Sequence, residues 1–413
     1  MSERRTFVIV GAGFAGARAA ITLRAEGFDG RVLLLGDEPV RPYDRVTLSK
    51  HYLYGKPGLH SLFVHDETFY AAHNIELRVS TPVVAVDVGA WQVELASGER
   101  IGYDALLLTT GCEPRRWAGP GSGLGGVHYL RTLADADRLR AALVAAAAHS
   151  GRLVVVGTGW IGCEIAAAAR ELGIDVALVG RSSVPLEHQL GARMAGFYRD
   201  LHAEHGVELY GGREVTELRG QGSVRAVVLS DGTVLPADVV VFGIGARPRV
   251  GLARAAGLTV DNGIMTDAQF ATSAPRVFAA GDVANVWNGA QGRRTRLEHW
   301  AAALRQGPAA ARAMLGDRHP YSQIPFFFTD QYDVWMEFTG ETAGADEFVT
   351  RTLPGDRAFI AFWLRGGRLA AGMNVNIKGI PDLVGALISG GRRINARALA
   401  DPDIPLADTV LSY

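Results

Sequence analysis

The 413-residue chain has only two cysteines, Cys112 and Cys163. They lie far apart and form neither a CxxC nor a CxxxxC pair. That excludes a disulfide framework, a cysteine-rich metal site and a redox dithiol of ordinary spacing. No His/Cys/Asp cluster has metal-ligand spacing, so no metal is expected. Charge of one sign is also lacking: 42 Lys and Arg stand against 43 Asp and Glu, a formal net charge of -1. Neither a global polycation for nucleic acid nor an acidic tail is present. Long apolar runs are missing. The longest strongly apolar patch, AALVAAAA at residues 141–148, is far below the roughly 20 residues of a membrane-spanning helix. MSERR leads straight into a strand-like run without a small-residue cleavage site, so no signal peptide is read. The expectation is a soluble cytoplasmic protein with no nucleic-acid and no membrane partner.

What is present has ordinary globular composition, 48% hydrophobic and 21% charged. At roughly 150 residues per domain the length calls for two or three domains. FVIVG (residues 7–11) is a short β-branched run ending in glycine, as a buried parallel strand would be. ARAAITLRAEG has helical spacing and stops at Gly27; RVLLLGDE then forms a second strand closing at Gly36 and Asp37. Together they make a βαβ unit. A loop rich in Pro, Tyr and Arg follows, EPVRPYDRVTLSKHYLYG. IGYDALLLTTGCEPRR, from Ile101, reads as a strand running into a Gly/Pro turn. The pattern then returns as RLVVVG, GCEIAAAARELG and DVALVG. DVVVFGIGARP (residues 238–248) reads as a further strand and as a partner of residues 104–114, both having an acid, an apolar run, a glycine and a proline. TSAPRVFAAGDVAN (residues 272–285) reads as a strand ending in Gly-Asp. After His319 the texture becomes aromatic and β-like, in IPFFFTDQYDVWMEFTG and AFIAFWLRGGRLAAG, which marks a third domain.

Two turns carry the chemistry. Gly11, Gly13 and Gly16 form one GxGxxG, and Gly157, Gly159 and Gly162 form another. The first glycine permits a tight turn, the second lets backbone approach a pyrophosphate, and the third lets helix pack on strand. The helix N-terminus offers free N–H groups and positive dipole to phosphate. One such motif is weak; two, each between an expected strand and an expected helix, point to two bound dinucleotides. Either a duplication holds two copies of one cofactor, or a flavin sits on the first unit and a nicotinamide on the second, with hydride passing between them. Asp37 and Glu38 end the second strand, where a carboxylate can bond a ribose diol. In the second copy Gly180 takes the place where an acid is expected, followed by Arg181, Ser182 and Ser183. Arginine and hydroxyls accept a 2′-phosphate that an acid rejects, so NADPH use, or dual use with NADH, is expected.

The ordered set GAGFAG, RPYDRVTLSK, TTG, GTGWIGCE, GIGARP, VFAAGD, LEHW and FFFTDQYD resembles the FAD-dependent ferredoxin and rubredoxin reductases that serve bacterial cytochromes P450 and ring-hydroxylating dioxygenases. The likeness runs across essentially the whole chain. It implies an α/β fold with two Rossmann-like dinucleotide-binding domains of glutathione reductase type and a C-terminal α+β domain. The FAD domain would comprise residues 1–112 and 242–318, the NAD(P) domain 113–241, and the C-terminal domain 319–413. For FAD the resemblance implies Gly11, Ala12, Gly13, Phe14, Ala15 and Gly16 at the pyrophosphate, and Asp37 with Glu38 at the adenosine ribose. Arg45 and Lys50 would approach the cofactor, with Val83 beside adenine. Thr110, Gly111, Arg131 and Gly281 complete the set with Asp282 on the ribityl chain, Glu298, His299 and Trp300 at the flavin, and Phe328 near its exposed edge. For NAD(P) it implies Gly157, Thr158, Gly159, Trp160, Ile161 and Gly162, then Gly180, Arg181, Ser182 and Gly245. Lys50 and Glu164 would form a catalytic pair beside flavin N5.

Relatives often carry tryptophan where Phe328 stands. The position after TLS is lysine, not cysteine, which argues against sulfenic-cysteine oxidases and peroxidases. The implied activity is an FAD-dependent NAD(P)H:ferredoxin oxidoreductase passing electrons to a small iron–sulfur protein. Basic runs GRRTR (Arg293, Arg294, Arg296) and GGRRINAR (Arg392, Arg393, Arg397) are candidate faces for an acidic ferredoxin. Two rivals remain: a reductase of a small molecule such as a quinone or oxygen, and a signalling flavoprotein like apoptosis-inducing factor.

Overall fold

The computed structural model describes residues 4–55, 62–289 and 291–411; Met1, Ser2 and Glu3 of the MSERR stretch fall outside them. Two compact units result. The first comprises Met1–Asp44, Gly58–Glu113 and Arg247–Pro325, the second Arg45–Pro57, Pro114–Ala246 and Phe326–Tyr413.

The first unit is built on a five-stranded parallel sheet. Its order is Val277–Ala279, Ala105–Leu108, Thr6–Val10, Arg31–Leu35, Ile75–Arg78. Thr6–Val10 is central: Val8 pairs with Leu33 on one side and Leu106 on the other. The run FVIV is apolar throughout because both faces are covered, and Val8 and Ile9 are fully buried. Helix Phe14–Ala25 follows at once, and helix Trp300–Met314 packs on it so closely that a Cβ on Gly307 would lie 2.4 Å from the Ala15 carbonyl oxygen. Sheet order reverses at the C-terminal end of Thr6–Val10, the place where open α/β sheets bind ligands. A three-stranded antiparallel meander, Val83–Asp87, Gln92–Leu95 and Arg100–Gly102, completes the pattern.

The second unit repeats it. Its parallel order is Val207–Gly211, Asp175–Gly180, Arg152–Val156, Val239–Phe242, Val127–His128, with a meander of Val215–Gln221, Ser223–Leu229 and Val234–Pro236. Helix Trp160–Glu171 occupies the place of Phe14–Ala25. The C-terminal region adds an antiparallel sheet ordered Phe326–Gln331, Val334–Gly340, Arg368–Val375, Phe359–Arg365, Glu347–Thr352, backed by helix Ile380–Gly390. Residues 45–55 pack within this unit: Leu53 is fully buried in a cluster with Leu139, Leu143 and Leu153.

Two runs that read as single strands are each broken. Residues 272–285 give Val277–Ala279 and then begin Ala284–Asn288, because Gly281 turns at φ +77°. Residues 238–248 give Val239–Phe242 and Ala246–Pro248, separated by Gly245 at φ +96°. Both are left-handed angles that glycine adopts without a Cβ penalty.

Candidate functional site

The two glycine turns are the same object built twice. Gly11 has φ +114° and Gly157 +116°. A Cβ on Gly11 would sit 2.3 Å from the Thr109 carbonyl oxygen, and one on Gly157 the same 2.3 Å from that of Gly243. A Cβ on Gly16 or Gly162 would strike the carbonyl of the first glycine of its own motif, at 2.1 and 1.9 Å. The middle glycines differ in kind. Nothing lies within 4 Å of a Cβ on Gly13, and on Gly159 only the tip of Gln189, at 3.9 Å. Each caps a 12-residue helix in extended conformation, with no side-chain cap and no acid in the first turn. The first N–H groups of both helices thus carry no side-chain cap, and the space beside each middle glycine is open, as a cradle for phosphate requires.

Register extends the correspondence to the second strands. Val10 pairs with Leu35, and Val156 with Val179. Gly36 and Gly180 are therefore equivalent. Both lack a side chain for the same reason: a Cβ would meet Ala12 Cβ at 2.7 Å or the Thr158 side chain at 2.4 Å. The residue equivalent to Asp37 is Arg181, so the missing acid belongs to position 181 and Gly180 is a packing requirement. Arg181 is 83% exposed and 3.9 Å from Glu214. Ser182 turns its carbonyl to the Gly212 N–H, and the Ser183 N–H donates to Glu187.

In the first unit several candidates converge. Asp37 is paired with Arg249 at 2.9 Å, and the Thr110 hydroxyl donates to the Arg249 carbonyl. Gly111 accepts the Arg249 N–H through its own carbonyl. Glu38 accepts from the Tyr43 hydroxyl at 2.7 Å. Ser80 and Thr81 donate backbone N–H groups to the carbonyls of Glu38 and Gly36, which brings the chain leading to Val83 alongside that strand end. Phe14 and Trp300 stack at 5.4 Å between centroids. A Cβ on Gly281 would lie 3.0 Å from Ala15, so Gly281–Asp282 runs against the first turn of the glycine helix. Arg296 donates to Glu298 and to the Asp282 carbonyl. Burial holds the His299 imidazole below its ordinary range, against the opposing pull of Asp282 and Glu298.

In the second unit the centre of interest is Glu164, on the helix of the second cradle and only 4% exposed. Its carboxylate accepts from Lys50 Nζ at 2.8 Å, from Thr329 Oγ1 at 2.7 Å and from the Ser49 hydroxyl. Lys50 is itself buried and also reaches the Val46 carbonyl at 3.4 Å, with its Nζ 6.0 Å from the Phe328 ring centroid. A buried ion pair is tolerable only when its remaining lone pairs and protons are satisfied, and here the carboxylate has three donors. Arg45 donates to the Arg131 carbonyl at 2.7 Å, joining those two candidates. Trp160 packs edge-on to Tyr198 and tilted on Phe327, while Ile161 is 45% exposed on the cradle helix. Gly245 accepts the Arg115 N–H.

Sequence reasoning missed Ser49, Thr329 and Arg249. Ser49 and Thr329 flank named residues in LSK and FFFTDQ; Arg249 follows GARP one residue beyond the quoted motif. The basic runs divide: Arg294 donates into the fold to the Thr266 and Asn285 carbonyls and Arg296 pairs with Glu298, whereas Arg293, Arg392, Arg393 and Arg397 are exposed. Both cysteines are buried and unbridged, and desolvation raises the Cys163 thiol far above its usual range. Among the described residues no group of His, Cys, Asp or Glu could hold a metal ion, and no helix is long and apolar enough to cross a membrane.

Paired dinucleotide cradles on parallel sheets, with an antiparallel C-terminal sheet, define a two-nucleotide α/β oxidoreductase. Family models agree: the pyridine nucleotide-disulphide oxidoreductase model matches residues 5–307, and the reductase C-terminal model matches 326–410. The chain is 38% identical over 372 residues to rhodocoxin reductase of Rhodococcus erythropolis, covering 90% of this chain and 86% of that one. It is 38% identical over 401 residues to the ferredoxin–NAD(+) reductase component of the anthranilate 1,2-dioxygenase system of Burkholderia cepacia, covering 97% and 98%. The crystal structure of the covalent putidaredoxin reductase–putidaredoxin complex contains a chain that superposes with a TM-score of 0.93 at 36% identity, covering 98% of each. The chain belongs to the pyridine nucleotide-disulphide oxidoreductase family, in the group formed by the ferredoxin reductases.

Proposed function

We propose that this protein is an NAD(P)H:ferredoxin oxidoreductase that passes electrons through bound FAD to a small iron–sulfur protein feeding a cytochrome P450 or a ring-hydroxylating oxygenase. The observation that carries the reading is the pair of equivalent cradles, each with an uncapped helix N-terminus open above its middle glycine. That donor set fits a diphosphate twice over. When bound, FAD accepts the two electrons of a hydride together and gives them up singly, which a one-electron iron–sulfur acceptor requires.

This chain's residues bind, orient and supply charge. Gly11, Gly13 and Gly16 hold the FAD diphosphate, with Asp37 toward the adenosine ribose and Asp282, Glu298, His299 and Trp300 toward the flavin. Gly157, Gly159 and Gly162 hold the NAD(P)H diphosphate. Arg181, standing where the first unit has Asp37, favours a 2′-phosphate, so the preferred coenzyme is NADPH. Lys50 keeps a fixed positive charge in a dry setting for the hydride step, held by Glu164. Hydride transfer needs positioning and no protein acid or base. The site of action is the cytoplasm.

Stopped-flow mixing of the purified yellow protein with NADPH and with NADH tests the proposal. Rapid bleaching of the flavin absorbance is expected, faster per micromolar with NADPH, and recovery on adding oxidised ferredoxin. Recovery with quinone or oxygen but with no ferredoxin would move the activity to small-molecule reduction. Failure of both coenzymes to bleach the flavin would refute the reading.

A further inference from the structure

The Glu164 carboxylate is the end of a longer buried chain. Thr329 and Gln331 alternate with half-buried neighbours on the strand Phe326–Gln331, so both point inward, and both are at most 1% exposed. Gln331 Nε2 lies 3.3 Å from Thr329 Oγ1. Gln331 Oε1 lies 3.0 Å from His202 Nε2, and His202 Nδ1 lies 3.0 Å from the Tyr332 hydroxyl. His202 is fully buried on the helix Glu187–Glu204, and Tyr332 stacks on His205 at 3.7 Å.

The direction of every bond follows from one end. An ionised carboxylate only accepts, so Thr329 spends its single proton on Glu164. Its oxygen must then accept from Gln331, which fixes the amide with nitrogen toward Thr329 and oxygen toward His202. That oxygen needs a donor, so His202 carries its proton on Nε2. Burial pushes the imidazole down to about 4, so it is neutral near pH 7 and Nδ1 is bare. Nδ1 accepts from Tyr332. From Tyr332 to Glu164 all donors point the same way.

We propose that Thr329, Gln331 and His202 are positioning residues for the Lys50–Glu164 pair: an aligned, buried row of donors that holds the Glu164 carboxylate in one orientation against Lys50. The role rests on the proposed oxidoreductase reading, in which that pair serves the hydride step. The row is not a proton path, because the Gln331 amide cannot pass a proton on without leaving its stable tautomer. Its effect is orientation and polarisation, and aligned dipoles in a low-dielectric interior reinforce one another.

Two measurements test this on the FAD-loaded full chain. The first uses 15N-imidazole-labelled protein at pH 7, with the His202 signals identified by their loss in His202→Gln. The expected pattern is a neutral ring protonated on Nε2. A ring protonated on Nδ1, or an imidazolium, would overturn the proposal, and this readout needs no turnover. The second is a double-mutant cycle read by flavin bleaching. Gln331→Met is expected to lower the limiting bleaching rate roughly tenfold in the native background and to leave it nearly unchanged in Glu164→Gln. The coenzyme concentration for half-saturation should stay within about twofold throughout. His202→Gln, which keeps a donor facing Gln331, should recover most of the rate lost in His202→Leu. Equal slowing by Gln331→Met in both backgrounds would sink the proposal. If Gln331→Met does not fold, Thr329→Val takes its place in the cycle with the same expectation. Absence of bleaching in the unaltered protein would refute the oxidoreductase reading while leaving the tautomer measurement decisive for the row.

Discussion

At the scale of single residues, the Lys50–Glu164 pair shows how burial turns a common contact into a demanding one. An exposed pair of this kind is worth about 0–1 kcal/mol. Here both groups are under 10% exposed, and removing one strands the other. Lys50→Met leaves the Glu164 carboxylate with two hydroxyl donors and no cation. We expect a loss of about 3–5 kcal/mol in unfolding free energy, read by urea titration, together with slower flavin reduction. The double replacement Lys50→Met with Glu164→Leu should recover part of that stability without recovering the rate; a fully active double variant would remove the pair from the reaction. Arg181 supports a second expectation. Charge-assisted bonds to phosphate contribute about 1.5–3 kcal/mol. Arg181→Asp, which restores the residue type of Asp37, should therefore cut the NADPH to NADH ratio of kcat/KM by roughly tenfold to a hundredfold. An unchanged ratio would assign the adenosine end of the site elsewhere. The pair itself was legible only through resemblance. A lysine and a glutamate separated by more than a hundred residues carry no local signal, and neither do the hydroxyls of Ser49 and Thr329 that complete the site.

At the scale of elements the sequence was far more readable, because a glycine turn between an apolar run and a helical run is encoded within about 20 residues. The strand, turn and helix of both cradles lie where the spacing puts them, and the register explains Gly36 and Gly180 as one packing rule met twice. What could not be read is pairing at a distance. The C-terminal sheet joins Val334–Gly340 to Arg368–Val375, a choice made by burial and cross-strand packing that no short window contains. Duplication also allows the two elements to be tested against each other. Gly11→Ala and Gly157→Ala each drive a Cβ into a backbone carbonyl at 2.3 Å from a left-handed φ, so the turn itself must move. Gly11→Ala should yield colourless protein. Gly157→Ala should stay yellow, with its flavin no longer bleached by NADPH at concentrations that saturate the unaltered protein, while dithionite still bleaches it. The visible spectrum and a coenzyme titration check both. Loss of flavin from both variants alike would mean that the cradles are not divided between cofactors.

At the scale of the whole molecule a net charge of -1 leaves no large self-repulsion near neutral pH, so the pH dependence between pH 7 and pH 5 comes from individual groups. His202 sets the sign. Its folded-state pKa is depressed to about 4 by burial, and an unfolded histidine titrates near 6.5. Below pH 6.5 the unfolded chain binds a proton that the folded chain refuses, so stability is fully present above that pH and falls as pH drops toward 4. His65, His128 and His299 are held down in the same direction, all chiefly by burial. Asp330 and Glu337 act in the opposite sense, since burial raises their carboxyls and acid then favours the folded state. For His202 alone the whole window is worth up to about 3 kcal/mol. A melting temperature that falls between pH 7 and pH 5 is expected, and His202→Gln, with nothing to titrate, should fall less over the same interval. The comparison is internal: the other histidines and carboxyls are common to both proteins, so the difference between the two slopes belongs to one ring. Parallel slopes would mean that His202 titrates in the folded state as it does unfolded, so that the ring takes up a proton within this interval and could not then accept from Tyr332.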